Sequence, residues 1–252
     1  AQWTANSYTI KYDKNADDAT GTMELQHIAY DEDKALLPNQ YERTGYLFTG
    51  WNTSPDGSGT HYADEEGIRN LTDQDGAVIT LYAQWRQTSY QIAFDPNGGE
   101  GLMEPIQAYY DTTTTLPANT FWKEGYPFSG WSTTKDGSGA TYQDRAEVVN
   151  LATQDGDTVT LYAQWKPSVY YIRFHGGDGV TGTMTDQPAA YDTAQTLNPN
   201  TFKKTGYEFS GWNMREDGTG DAFADQAEFE NLTTQDNSLV HLYAQWTPIR
   251  YT

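Results

Sequence analysis

The phrase Leu-Tyr-Ala-Gln-Trp ends at Trp85, Trp165 and Trp246, and a truncated Ala-Gln-Trp ends at Trp3. Gly-Trp recurs at Trp51, Trp131 and Trp212. Both phrases return at a period of about 80 residues, and a fixed period marks an array of like units rather than one large core. The chain therefore divides into the tail of a preceding repeat (1–3), three modules (4–85, 86–165 and 166–246) and the start of a linker (247–252). Opening on one unit's tail and ending just past another's close, it reads as a slice of a longer array.

A module this small buries only about 60% of the surface its unfolded chain exposes, so it needs help to be stable. Cysteine is absent, so no disulfide supplies it. Aromatic residues make up 14% of the chain, and each can bury about 150–250 Å². Trp51, Trp131 and Trp212, with Trp85, Trp165 and Trp246, are the expected core of the three modules. The net charge of −20 is spread over all of them. Such a polyanion repels phosphate backbones and anionic lipid heads, which argues against nucleic acid and membrane surfaces as partners. No apolar run approaches a membrane span, so no membrane insertion is expected.

Each module opens on an alternating phrase: Tyr8-Thr9-Ile10-Lys11-Tyr12, Tyr90-Gln91-Ile92-Ala93-Phe94 and Tyr170-Tyr171-Ile172-Arg173-Phe174. Period two with aromatic and branched residues predicts a half-buried strand. A Gly/Asp/Asn-rich stretch leads to a second strand near Tyr30, Tyr110 and Tyr191, with Met23, Met103 and Met184 as core fillers. Gly45-Tyr46-Leu47-Phe48-Thr49-Gly50-Trp51 and its copies form a third strand. Strict alternation would turn Trp51 outward, and a bulge at Gly50 would return it to the core. Asp56-Gly57-Ser58-Gly59 and its copies predict a tight hairpin turn.

Asp64, Asp144 and Asp225 are placed to cap a short helix, with Glu147 and Glu228 in the capping-box position. Ile68 and Leu71, and their counterparts, are spaced three apart on one helical face. The closing strand runs from Val78 to Trp85 and its copies, with Tyr82 and Gln84 facing away from Leu81 and Trp85. Only Arg86 to Ser89 separate Trp85 from Tyr90, so neighbouring modules must nearly touch. Lys166-Pro167 and Thr247-Pro248 stiffen the equivalent places, giving a semi-rigid rod of beads.

These phrases resemble the Listeria–Bacteroides repeat, or internalin B-repeat, family: a Tyr-x-Ile-x-Phe/Tyr opening, a Gly-Tyr-x-Phe-x-Gly-Trp centre, an Asp-Gly-Ser/Thr-Gly turn and a Leu-Tyr-Ala-Gln-Trp close. The strand phrases and the one short helical signal per module predict an α+β fold, mainly antiparallel β, in an elongated array of three tandem modules with one short helix each, and the resemblance implies that each module is β-grasp-like (ubiquitin-like). It also implies an extracellular place on a bacterial cell-wall-attached surface protein. It carries over no catalytic residues and no cofactor.

Little catalytic chemistry is visible. His27, His61, His175 and His241 occupy four different module positions, so no repeated histidine site exists. Asp56, Asp73, Asp75, Asp136, Asp155 and Asp157 lie in glycine-bearing turns, but none has the EF-hand pattern, and turn chemistry accounts for them more simply than calcium. Asn70, Asn150 and Asn231 recur without a recurring lysine, which argues against an isopeptide crosslink. Asn52, Asn70 and Asn231 also stand in N-x-Ser/Thr triplets. Tyr82 with Gln84, Tyr162 with Gln164, and Tyr243 with Gln245 are the candidate ligand-binding pairs, suited to a glycan or a host-surface protein. The expected protein is a monomeric, non-catalytic spacer of a bacterial adhesin or internalin-like protein. The alternative is a multivalent binding module gaining avidity from repeated weak sites.

Overall fold

The computed structural model describes residues 2–250. Ala1 of the 1–3 tail and the last two residues of the 247–252 segment lie outside the described residues. The first repeat carries β1 (Ser7–Asp13), β2 (Gln26–Ala29), β3 (Lys34–Ala35), β4 (Tyr46–Asn52), β5 (His61–Tyr62), β6 (Gly67–Ile68) and β7 (Ala77–Gln87). The second carries β8 (Ser89–Asp95), β9 (Ile106–Tyr109), β10 (Thr114–Thr115), β11 (Phe128–Ser132), β12 (Thr141–Tyr142), β13 (Glu147–Val148) and β14 (Thr158–Trp165). The third carries β15 (Val169–His175), β16 (Val180–Thr181), β17 (Gln187–Ala190), β18 (Gln195–Thr196), β19 (Lys203–Lys204), β20 (Tyr207–Asn213), β21 (Ala222–Phe223), β22 (Glu228–Phe229) and β23 (Leu239–Pro248).

The chain forms two compact units. The first comprises residues up to Ala93, with Glu104–Leu116 and Ala146–Thr160; the second comprises Phe94–Met103, Pro117–Arg145 and Leu161 onward. In the first unit a five-stranded sheet has the order β2-β1-β7-β4-β5. Its opening and closing strands lie side by side and parallel, with Ile10 opposite Ile79, while the β1–β2, β7–β4 and β4–β5 pairs are antiparallel. The second unit repeats the order as β17-β15-β23-β20-β21, again with a parallel β15–β23 pair.

The core of each unit is built around a tryptophan brought inward by a glycine bulge. The register of β4 against β7 shifts between Phe48 and Gly50. Gly50 has φ 131°, and an added Cβ would lie 2.7 Å from the Tyr62 carbonyl oxygen, so only glycine fits. Trp51 is then wholly buried, ringed by Tyr12 at 4.8 Å, Phe48 at 4.9 Å and Tyr41 at 6.1 Å between ring centroids. In the second unit Trp131 has Phe94, Phe128 and Phe121 around it. Trp212 has Phe174, Phe209 and Phe202. Trp85, Trp165 and Trp246 are half-buried at the rim. Each packs edge-on against the strand phenylalanine, and each donates its indole N–H to a backbone carbonyl, of Lys14, Pro96 and Gly176 respectively.

The α+β expectation, with one helix per β-grasp-like module, is overturned: among the described residues there is no helix, and the fold is all-β. The capping aspartates are used at long range. Asp64, Asp144 and Asp225 each accept the N–H of a residue 25 positions away: Asn39 at 2.9 Å, Asn119 at 2.8 Å and Asn200 at 2.9 Å. The residue after each aspartate is left-handed (Glu65 φ 56°, Arg145 φ 58°, Gln226 φ 57°), which stops a helix at its first step. The chain then enters the two-residue strands β6, β13 and β22, which pair with β3, β10 and β18. Ile68, Val148 and Phe229 reach the core from these strands. Helix nucleation is costly, and a segment this short holds too few residues to offset it.

Candidate functional site

The densest recurring polar construction sits where one repeat meets the next. In the first unit β7 ends at Gln87 and β8 begins at Ser89, leaving Thr88 alone between them. Thr88 is 2% exposed. Its N–H and hydroxyl both donate to the carbonyl of Gly45, at 2.9 and 3.0 Å. Its own carbonyl accepts the N–H of Tyr110 at 3.0 Å. The Tyr110 ring lies against the bare backbone of Gly45, where an added Cβ would come within 2.1 Å of it. The rings of Tyr46 and Tyr110 meet edge to face at 6.0 Å. The Tyr46 hydroxyl donates to Asp111 Oδ2 at 3.0 Å, and the Arg43 guanidinium stacks over the Tyr46 ring at 3.6 Å.

The second unit contains the same joint one repeat later. Ser168 is 1% exposed and donates to the Gly125 carbonyl at 2.8 Å, and its carbonyl accepts from Tyr191 N–H at 2.9 Å. Tyr126 meets Tyr191 edge to face at 5.7 Å and donates to Asp192 Oδ2 at 2.7 Å, with Lys123 over its ring. That hydrogen bond holds the Asp192 carboxyl below the usual carboxylate range and pushes the Tyr126 phenol up. The joint is thus a socket, Arg/Lys-x-Gly-Tyr, and a plug, Tyr-Asp, both legible as recurring residues but not as partners. Asn70, Asn150 and Asn231 hold the plug. Each accepts the backbone N–H of the plug aspartate, Asp31, Asp111 or Asp192, and donates its amide to that residue's Oδ1 at 2.9 Å.

Tyr82, Tyr162 and Tyr243 are half-buried, as are Gln84, Gln164 and Gln245. The glutamines lie against the Asp-Gly turns: an added Cβ on Gly57, Gly137 or Gly218 would lie about 3 Å from the Oε1 of Gln84, Gln164 or Gln245. Gln164 also donates to the Thr134 carbonyl at 3.3 Å. In the first and third repeats the turn is organised from below by buried Asn52 and Asn213, whose amides reach the carbonyls of Gly57 and Gly59, and of Gly218 and Gly220. Sequence reasoning met Asn52 only as part of a triplet; its place at a strand end before an Asp-Gly turn was the available signal.

The turn aspartates accept local donors. Asp136 takes the N–H and hydroxyl of Ser138 and the hydroxyl of Thr134, and its pKa falls to about 2. Asp75, Asp155 and Asp236 accept the N–H at the head of each opening strand, from Ser7, Ser89 and Val169. Among the described residues no group of three or more His, Asp or Glu side chains is arranged to hold a metal ion. The third repeat alone brings two histidines together: His175 Nε2 and His241 Nδ1 lie 2.8 Å apart, with the Tyr243 ring stacked on His175 at 4.6 Å. Partial burial, with His241 and Arg173 nearby, pushes His175 down from the ordinary histidine range. The parallel β15–β23 register makes this pair, setting Arg173 opposite His241 and His175 opposite Tyr243.

The Listeria-Bacteroides repeat domain model matches residues 8–84, 90–164 and 170–245. A "Putative Gly-rich membrane protein" of Evansella cellulosilytica is 35% identical over 83% of this chain and 23% of its own length. A "Putative membrane protein" of the same organism is 31% identical over 98% of this chain and 34% of its own. Internalin H of Listeria monocytogenes is 28% identical over 63% of this chain and 25% of its own. The chain thus spans a third or less of these relatives. A solved structure described as the Bacillus anthracis TIE protein aligns with 96% of the chain at 8% identity and a TM-score of 0.30, a likeness too slight to bear on the fold. With three matches that between them take in most of its residues, the chain belongs to the Listeria-Bacteroides repeat family.

Proposed function

We propose that this chain is a non-catalytic structural segment, a tandem-repeat spacer of a bacterial surface protein that carries a distal head away from the cell wall. The observation behind this reading is the joint. Thr88 and Ser168 allow almost no free linker, and the same Gly-Tyr and Tyr-Asp contacts close both junctions. A spacer needs this: repeats that bear directly on their neighbours pass force along without relying on a flexible tether. Like-charged repeats, within a chain of net charge −20, add repulsion that opposes collapse. Membrane-protein and internalin names among the relatives agree with a surface location.

Distance measurements across the first joint test the reading. Nitroxide labels at Ser58→Cys and Thr113→Cys, both exposed, should give one narrow distance distribution. Tyr46→Ala should broaden it. A broad distribution in the otherwise unchanged chain would mean a hinge, and the spacer reading would fail.

The second reading is a multivalent binder of a glycan or host-surface protein. Its support is the recurrence of half-buried Tyr82 with Gln84, Tyr162 with Gln164 and Tyr243 with Gln245; in the third repeat Tyr243 also stacks with His175 beside a cleft of about 520 Å³ that Glu216 lines. Saturable binding on a glycan array, lost in Tyr243→Ala, would favour it.

A further inference from the structure

We propose that the repeat sheet bears tension: its opening and closing strands form a ladder that a pull along the chain loads in shear, with the closing tryptophan as its hook. The geometry is complete in the first and third repeats. β1 and β7 lie side by side in the middle of their sheet, flanked by β2 and β4, as β15 and β23 are by β17 and β20. Each pair is parallel, from Tyr8 opposite Ala77 to Asp13 opposite Tyr82, and from Tyr171 opposite Leu239 to His175 opposite Tyr243. The chain enters β1 at Ser7 and leaves β7 at Gln87, so entry and exit lie at opposite ends of the ladder. Tension slides the two strands past each other along their length, and every ladder hydrogen bond is stretched at once. An antiparallel pair such as β4 with β5 is entered and left at one end, and the same pull opens it one bond at a time.

Both ends of the ladder are secured. At the entry end the Ser7 N–H donates to Asp75 Oδ1 at 3.0 Å, and the Ser7 carbonyl accepts from Gly76 N–H at 2.8 Å. Val169 repeats this with Asp236 Oδ1 at 2.8 Å and Asn237 N–H at 2.7 Å. The first residue of the opening strand is therefore already tied, and load reaches the ladder without first peeling a loose end. At the exit end the closing strand runs past its partner, and its tryptophan reaches back. Trp85 Nε1 donates to the Lys14 carbonyl at 2.8 Å, and Trp246 Nε1 to the Gly176 carbonyl at 2.9 Å. Lys14 and Gly176 each follow the last residue of the opening strand. Under tension the indole and that carbonyl are drawn apart, so their bond is loaded together with the ladder. Ile10, Leu81, Ile172 and Leu242 are wholly buried and close one face of the ladder to water. A bond broken there is not at once replaced by one to solvent. Forced unfolding follows the unfolding barrier rather than equilibrium stability, and loading all the bonds together raises the force needed to cross it.

The spacer reading supplies only the direction of the load; the resistance follows from the strand geometry, and the two fail separately. A hinge at the first joint would refute the spacer and leave each ladder sheared by the same pull. The chain has no cysteine, so introduced pairs give unique handles for an optical trap on the full chain. Pro167→Cys with Thr247→Cys, both exposed, pulls the third repeat along its ladder. Pro167→Cys with Gln235→Cys, also exposed, grips the leading ends of both strands and opens the same ladder bond by bond. At one loading rate the first pair should unfold at a severalfold higher force than the second. Trp246→Phe keeps a ring against Phe209 and removes the indole N–H. It should lower the force for the first pair and leave that for the second unchanged, because the hook lies at the far end from the second pull. Equal forces in the two directions overturn the proposal, and that comparison needs no change to the core. A Trp246→Phe force unchanged along the ladder, or lowered equally in both directions, overturns the role given to the tryptophan.

Discussion

One stretch of seven residues does two jobs, and the halves differ in kind. In Gly45 to Trp51 the second half makes the core: Phe48, the Gly50 bulge and Trp51 are packed among aromatic rings. The first half makes the joint: Gly45 and Tyr46 meet the next repeat through a ring edge, a carboxylate and a threonine. The core contacts come from residues of the same repeat and are apolar. The joint contacts cross between repeats, combine ring packing with hydrogen bonds, and are partly exposed. Stability in such an array is close to a sum of repeat terms and neighbour terms, and here the two terms have separate residues. A substitution in either half should therefore leave the other largely intact.

Trp131→Ala should have the largest effect. It empties the space enclosed by Phe94, Phe121 and Phe128, and such truncations cost about 3–5 kcal/mol. Urea unfolding followed by tryptophan fluorescence should show it. A loss below about 1 kcal/mol would mean that the aromatic ring around the indole is not what holds the repeat. Gly130→Ala comes next: φ is 135°, and the new Cβ would lie 2.8 Å from the Tyr142 carbonyl oxygen. Holding an alanine there should cost about 1–3 kcal/mol. Indifference to this change would show that the bulge can relax.

The bulge illustrates what can be read from one dimension. Strict alternation puts Trp51 on the wrong face, and a glycine directly before it offers the local remedy, so the turn inward follows from neighbouring residues. The helix failed for the opposite reason. Asp64 with an apolar pair beyond it looks like a cap, but its carboxylate is taken by Asn39, and Glu65 is left-handed. Neither fact is local. The parallel pairing of the opening and closing strands is also non-local, and in the third repeat the β15–β23 pair brings His175 beside His241. The joint was invisible in the same way: Gly45-Tyr46 reads as a strand start and Tyr110-Asp111 as a strand end, 65 residues apart. The recurrence of the asparagines without a lysine argues against a crosslink but does not reveal their role, which is to clamp the plug.

A change confined to the joint should be smaller. Thr88→Val keeps the shape and the N–H but removes the hydroxyl bond to Gly45. A buried hydrogen bond of this kind contributes about 1 kcal/mol. The loss should appear as faster amide exchange at Thr88 and Tyr110, with the Trp51 core unchanged. Equal loosening of both would mean that core and joint are one cooperative element and would erase the distinction drawn above.

The smallest expected effect sets the third repeat against the other two. Where it has His175 and His241, the first has Asp13 and Thr80 and the second has Asp95 and Thr160. His175 is faced by His241, Arg173 and the Tyr243 ring, with Glu216 and Asp186 near enough to oppose the shift. Its pKa is depressed in the fold, so the folded protein favours the neutral ring. As pH falls through the ordinary histidine range near 6.5, the unfolded chain takes up the proton first. The stabilising difference is therefore whole above that range and declines as pH falls toward the lower folded value. Most carboxylates titrate below this window, so a loss of melting temperature between about pH 7 and pH 5.5 should trace mainly to histidine. His241→Thr restores the residue of the other repeats and removes a neighbour that helps hold the His175 pKa down, so its melting temperature should change less over the same interval. If the slopes of wild type and variant coincide, the histidine pair does not distinguish the third repeat, and its Tyr243 face is another copy of the Tyr82 and Tyr162 faces.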